Sequence, residues 1–407
     1  MKEQKKIELE VTESIENVRL QDVFSAWWRI NKKVDMKKIK YIMPVILCVL
    51  QSCFNSKSHV SVEDANILIN IDSAKLVSLK VSDVRYIPLE TSDECLIGHA
   101  HKVLIKKGRI YVADFSKAMA LFVFDMTGKF IFQISKKGQG PGEYVSFWDF
   151  DIHNNGEIYM YDVSGRKILV YDSEGKNFRE IKFDYNFKSF FLTENKIYLS
   201  ALWGENGKKM AALAVYDITT GKTTPIFDDE KFLYNIPFNN SPYDFFQSSD
   251  RAYYSPKFSD IIYSISKDGV IPEIGINNLP LPPADVMEKL QDERDNNKLL
   301  DLIRESNYFL ENVYIYETSK YISIGCKKGK GDKTLLHNKI TNKTHALWLS
   351  AYFMEVGCSN IMGSTGKEFF GMVFFSSDNQ YHKKILESRK ELSNWQDDDN
   401  PVLVLFD

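Results

Sequence analysis

No two of the five cysteines, Cys48, Cys53, Cys95, Cys326 and Cys358, stand at C-x-x-C spacing. That spacing is what a zinc knuckle or a thioredoxin-type centre requires, so neither is expected. Cys326 lies in the apolar stretch "YISIGCK", where a buried free thiol is the expectation. Cys95 and Cys358 stay open between a disulfide, in an oxidising compartment, and two thiols. Dense basic blocks are missing as well. The net charge is −3, and residues 1–53 hold more Lys and Arg than Asp and Glu, so the remainder is more acidic still. Nucleic-acid binders leave a basic footprint, and no nucleic-acid partner is expected. The apolar run at 41–50 has ten residues, half of the about 20 that a bilayer-spanning helix takes. No G-x-S-x-G or H-E-x-x-H motif occurs, and no catalytic residue or cofactor is legible. Aromatic residues are plentiful instead. With 27 Phe and 21 Tyr, the composition favours β structure over a helical bundle.

The most specific local pattern is "MKKIKYIMPVILCVLQSC" (36–53). Lys37, Lys38 and Lys40 form a positive start, the apolar run follows, and Leu50-Gln51-Ser52-Cys53 closes it. This segment resembles a bacterial lipoprotein signal. In such signals the cysteine takes a diacylglycerol thioether, the preceding bond is cut, and the new amino terminus is acylated. The resemblance implies lipid attachment at Cys53 and anchoring by acyl chains, each buried CH₂ contributing about 0.8 kcal/mol. The rival reading is an apolar patch before an ordinary cysteine. Signals stand at the start of a chain, so translation is expected from Met36, with residues 1–35 an extension that is untranslated or disordered. Residues 54–83 read as a polar tether and lead-in. No Asp follows Cys53 and no acidic run follows the tether, which points to the outer membrane, facing the periplasm.

From residue 84 the chain repeats itself. "GRIYVAD" (108–114) is followed by "LFVFDMTGKFI", "GEIYMYD" (156–162) by "ILVYDSEGKNF", and "NKIYLSA" (195–201) by "LAVYDITTGKTT". Each unit reads strand, turn, strand, tight Gly turn, strand. The Asp-x-x-Gly-Lys turn suits a hairpin, since Gly takes positive φ and Asp accepts hydrogen bonds from its own backbone. Three weaker copies follow. The first apolar residues of the six copies are Ile110, Ile158, Ile197, Ala252, Tyr321 and Phe369, spaced by 48, 39, 55, 69 and 48 residues. Such periods indicate a propeller or array. A four-stranded blade cannot bury both faces alone, so blades stack around a ring, which suits strands such as "LFVFD" that are apolar on both faces. The expectation is an all-β, six-bladed β-propeller over 84–407, with a small helical insertion near 283–309. "VRYIPLE" (84–90) is expected to pair with the terminal "PVLVLF" and close the ring.

"GQGPGEY" (138–144), the "IYVAD…FVFD…G" phrasing and the terminal "DNPVLVLF" (399–406) carry a resemblance. The chain resembles the six-bladed, NHL-like β-propeller lipoproteins of Gram-negative anaerobic bacteria. The resemblance implies a fold and an address, and no reaction.

Several residue groups are weighed as sites. "GQGPGEY" has glycines that can cradle phosphate, but a strand-like stretch follows in place of a helix, so an inter-blade turn held by Glu143 and Tyr144 is expected. His99 and His101 share one face of a strand and are either metal ligands or polar residues at a channel mouth. Asp397, Asp398 and Asp399 lack the spacing and glycine of a calcium loop and suit a turn. Trp148, Trp203 and Trp348 either form a ligand platform, stacking on sugar rings, or fill space between blades. The function expected is an envelope lipoprotein whose propeller binds a ligand or partner, a glycan or an envelope protein, without catalysis. The alternatives are a glycan-active hydrolase, lyase or lactonase, whose carboxylates come from different blades, and a purely structural envelope component.

Overall fold

Short apolar runs broken by Gly, Asn and Asp fold as strands throughout. A computed structural model describes residues 60–407, apart from 205–206, 228–242, 249–250, 284, 289–297, 299–304, 306–307, 329–331 and 349. Residues 1–35, the signal at 36–53 and Cys53 therefore lie outside the described residues. So does most of the helical insertion near 283–309, of which residues 285–288, 298 and 305 are described and helical.

Three strands come first: β1 (Ile67–Asn70), β2 (Lys75–Leu76) and β3 (Arg85–Pro88). An antiparallel sheet follows in sequence order, β4 (Lys102–Lys106), β5 (Arg109–Asp114), β6 (Ala120–Asp125) and β7 (Phe130–Ile134). The same arrangement recurs in β8 (Phe147–Ile152), β9 (Ile158–Asp162), β10 (Lys167–Tyr171) and β11 (Phe178–Lys182). It recurs again in β12 (Ser189–Leu192), β13 (Lys196–Trp203), β14 (Lys209–Asp217) and β15 (Thr223–Phe227). Next come β16 (Phe245–Ser248), β17 (Arg251–Tyr254), β18 (Ile261–Ser266) and β19 (Gly269–Asn277). Then follow β20 (Phe309–Glu317), β21 (Tyr321–Lys328), β22 (Lys333–Asn338) and β23 (Lys343–Trp348). The short helix α1 (Ala351–Val356) leads to β24 (Gly363–Ser364) and β25 (Phe369–Val373). Helix α2 (Gln380–Ser388) precedes the last strand, β26 (Val402–Phe406).

The lead-in strands are used as edges. β1 lies parallel to β19, and β2 parallel to β23. β3 pairs antiparallel with β26, Tyr86 opposite Val404 and Pro88 opposite Val402, so the chain's beginning and end meet in one sheet as expected. Pro88 lacks a donor, and an edge strand is where a proline is tolerated. A nine-stranded sheet runs from β1 through β19–β16 to β24–β26 and β3, joined at one parallel pair, Ser248 opposite Ser364. All six sequence landmarks, from Ile110 to Phe369, fall on the second strand of their units.

The first strands of successive units touch in a circuit: β4 to β8, β8 to β12, β12 to β16, β16 to β20, β20 to β24, and β24 back to β4. This all-β architecture with few helices is a β-propeller arrangement. Its core lies between sheets. On β6, Phe122 and Phe124 join a cluster with Leu403 and Leu405, while Leu121 and Val123 join one with Phe150 and Leu169. Alternate residues thus bury opposite faces, each large side chain contributing about 1.5–3 kcal/mol. The hairpin aspartates act as the repeat requires. Asp125 Oδ1 accepts from the N–H groups of Thr127 (2.8 Å) and Lys129 (3.1 Å), and Asp172 and Asp217 do the same in their own turns. Gly128 in this turn has φ +88°, and a Cβ there would overlap the Pro88 carbonyl oxygen, so β3 leaves room only for glycine.

Candidate functional site: the central channel

The repeated "IYVAD" and "IYMYD" end in buried aspartates with a common task. Asp114 accepts from the N–H groups of Gly98 (3.0 Å), His99 (2.9 Å), Ser116 (3.0 Å) and Lys117 (2.9 Å). Asp162 accepts from Val145 N (3.2 Å) and Ser146 N (2.9 Å). Each carboxylate ties down the loop that leads into an inner strand, and so aims that strand's side chains.

Those inner strands carry polar residues in apolar surroundings. Lys102 Nζ, on β4, donates to Asp149 Oδ1 (2.7 Å) and Phe150 O (2.8 Å) on β8. Lys106 Nζ repeats the pattern with Asp151 Oδ1 (2.7 Å) and Ile152 O (3.1 Å). The second oxygens of the two aspartates accept from Phe190 N and Leu192 N of β12, both at 2.9 Å. Three adjacent sheets are stitched by two charged rungs. Burial pushes the Asp149 carboxyl up, and the Lys102 ammonium pulls it back.

A cavity of about 310 Å³ opens beside these rungs. β4, Tyr243 with Phe245–Gln247, three residues of β20 (Val313, Tyr314 and Tyr316) and residues 360–365 line it. Gln247 on β16 is 7% exposed, and neither its Nε2 nor its Oε1 has a hydrogen-bond partner among the described residues. The Tyr243 ring lies 5.0 Å from Lys102 Nζ. Tyr316 lines the cavity and packs parallel to Tyr314, whose hydroxyl meets Thr334 Oγ1 at 2.7 Å. Ser248 and Ser364 brace the far side through the Glu317 backbone, Ser248 Oγ accepting its N–H (2.9 Å) and Ser364 Oγ donating to its carbonyl (2.5 Å).

His99 and His101 stand immediately before β4, their rings 5.1 Å apart, and His101 lines this cavity. His101 Nδ1 accepts from Phe115 N (3.2 Å) and lies 3.7 Å from Asp114 Oδ1. Burial pushes its imidazole below the usual value, against the pull of Asp114. Among the described residues no cluster of three or more His, Cys, Asp or Glu side chains is placed to hold a metal. Trp148 is on β8, Trp203 ends β13 and Trp348 ends β23, three different sheets. None of the three is among the described residues lining the channel cavity. Trp148 and Trp348 are exposed, and Trp348 borders a surface groove with Leu76 and Met354.

The "GQGPGEY" loop is a tied turn. Glu143 Oε2 accepts from Gly140 N (2.8 Å), Tyr144 Oη donates to Met119 O (2.6 Å), and Tyr171 Oη of the neighbouring strand donates to Gly142 O (2.7 Å). Asp399 accepts from Gln396 N (2.8 Å) within the turn before β26, and Asp397 accepts from Ser377 N (2.8 Å), which stands just before α2. Cys95, Cys326 and Cys358 are buried as thiols, outside any disulfide. Sequence reasoning passed over Lys102, Asp149, Asp151 and Gln247; "WDFDI", with two aspartates inside an apolar strand, was the available signal. It also missed α2, which Asn379 caps by accepting from Tyr381 N (2.9 Å).

A β-propeller with a small polar cavity at its hub is the class that fold and site define. Residues 63–407 match the family described as "Domain of unknown function (DUF4934)", and the chain belongs to that family. Among solved structures it is similar to a candidate exported protein from Bacteroides fragilis, at 18% identity and a TM-score of 0.68, covering 84% of this chain and 99% of that one. It is also similar to a member of the duf4221 family from Bacteroides vulgatus, at 13% identity and a TM-score of 0.50, covering 81% of this chain and 97% of that one. At these identities the likeness carries the fold alone. No curated protein matches the chain.

Proposed function

We propose that the chain is a lipid-anchored envelope protein whose six-bladed, NHL-like propeller binds a small ligand in its central channel and performs no reaction on it. The count of six treats the nine-stranded sheet as two blades that meet at the single pair Ser248 and Ser364. The circuit from β4 through β24 and back supports it. The Cys53 signal supports the anchor, at the outer membrane on the periplasmic side; the description of the similar Bacteroides fragilis protein as exported agrees with export alone.

The observation that carries the binding role is Gln247, a buried amide beside a cavity with neither polar atom met by a described residue. An unmet buried polar group costs about 1–3 kcal/mol, which a bound ligand or water removes. A glycan-active enzyme is disfavoured by the carboxylates. The described lining of the cavity holds no Asp or Glu. Asp149 and Asp151 each spend both oxygens on a lysine and on backbone N–H groups. Most glycoside hydrolases place two carboxyl groups on either side of the bond they cut.

Two experiments test the reading. Metabolic labelling with an alkynyl fatty acid should tag the wild-type chain in the membrane fraction and leave Cys53→Ala unlabelled; label retained by Cys53→Ala removes the anchor. A thermal-shift screen of small molecules should find ligands whose effect disappears in Gln247→Leu. Ligands indifferent to that substitution would place binding away from the channel.

A further inference from the structure

The cavity's size and charge narrow the ligand. At about 310 Å³ it stands at the small end of ligand pockets, which run about 300–1,000 Å³, and admits one small molecule but no extended polymer. Its cations are already answered. Lys102 and Lys106 each hold a carboxylate at 2.7 Å, so an approaching anion or cation meets paired charges whose fields largely cancel. Recognition then falls to hydrogen bonds and ring faces. Each ammonium has three N–H groups, of which two go to a carboxylate and a carbonyl, leaving one for an oxygen acceptor. Gln247 presents donors and an acceptor in one amide, both unmet among the described residues. A hydroxyl, or two hydroxyls on neighbouring carbons, satisfies both together. The aromatic rings of Tyr243, Tyr316 and Phe370, all at the cavity, suit the C–H face of a sugar ring.

Resting on the channel-binding reading above, we propose that the ligand is a neutral, hydroxyl-rich molecule the size of a single sugar unit, held by the Gln247 amide and the spare N–H groups of Lys102 and Lys106. The platform is then the hub of the propeller and not the three tryptophans.

The test measures melting of the full chain with millimolar glucose, galactose, mannose or N-acetylglucosamine, alongside glucuronic acid, glucose 6-phosphate and free glutamine. At least one neutral sugar should raise the melting temperature by several degrees, the two anionic sugars should not, and Gln247→Leu should abolish the shift. Without ligand, Gln247→Leu should melt no lower than wild type, because it removes an amide that the protein leaves unmet. If Gln247→Leu does not fold, Gln247→Met, close in length, takes its place. A Gln247-dependent shift with glucuronic acid, glucose 6-phosphate or glutamine, and none with neutral sugars, overturns the ligand class and leaves the channel as the site. Neutral sugars that shift both chains equally overturn class and site together. No shift from any neutral sugar also overturns the class.

Discussion

Lys102 and Asp149 meet at 2.7 Å across two sheets, 47 residues apart in sequence, and both are buried. Their pairing joins β4 to β8 at the hub, and the second oxygen of Asp149 carries the link on to Phe190 of β12. Removing the lysine strands a buried carboxylate. Lys102→Met should therefore cost about 3–5 kcal/mol in chemical denaturation. Lys102→Met with Asp149→Asn should recover part of that loss, since the carboxamide leaves no unpaired charge and still accepts from Phe190. Equal destabilisation in both variants would show that the charge pairing is not what holds the rung.

Two glycines of similar backbone conformation separate strain from space. Gly108 has φ +70°, and a methyl group added there would meet nothing within 4 Å, whereas Gly128, at φ +88°, is pressed against the Pro88 carbonyl. Gly108→Ala should cost about 1–2 kcal/mol, the left-handed penalty alone. Gly128→Ala should add about 1–3 kcal/mol for overpacking against β3. Urea midpoints of the two variants decide the matter.

Ring closure rests on β3. Tyr86 stands opposite Val404 in the ladder, and its hydroxyl donates to Val356 O at 3.2 Å. The Pro88 carbonyl is turned to Gly128, so the alternate residue Ile87, opposite Leu403, is the one that faces β26. Ile87→Pro removes a donor from the closing pair, and hydrogen exchange at Val402–Leu405 should quicken well before that of β9 and β10. Uniform exchange across the ring would mean that closure does not depend on this strand.

The hairpin aspartates predict an acid limb. Backbone N–H groups of Lys176, Asn177 and Glu174, with the Asn177 side chain, lower the Asp172 carboxyl to about 2 from an ordinary 3.8. A depressed folded value means stability that is complete above the unfolded value and is lost as pH falls from about 4 through about 2. Asp172→Asn should flatten that part of the stability curve, measured as urea midpoint against pH. An unchanged slope would show that the turn does not favour the charged form.

Much of the ring was legible because its cues are local. The aromatic-Asp and Gly-Lys turns set hairpins by hydrogen bonds within five residues, as at Asp125, and strand alternation follows from the two-residue side-chain period. "VRYIPLE" was readable as the closing strand because a propeller needs one and the repeat had none to spare. The site was less legible. His101 lines the channel cavity, and Trp148, Trp203 and Trp348 stand on three sheets, outside the described lining of that cavity. Gln247 looked like one polar residue in "FFQS", with nothing nearby to mark it.

By itself, then, the sequence determined the strand units, their order and their turns, since each depends on residues within hydrogen-bonding reach along the chain. Only the tertiary structure decided which polar side chains face one another at the hub. Lys102, Asp149 and Gln247 come from three units, and their neighbourhood exists only once the ring of inner strands has closed.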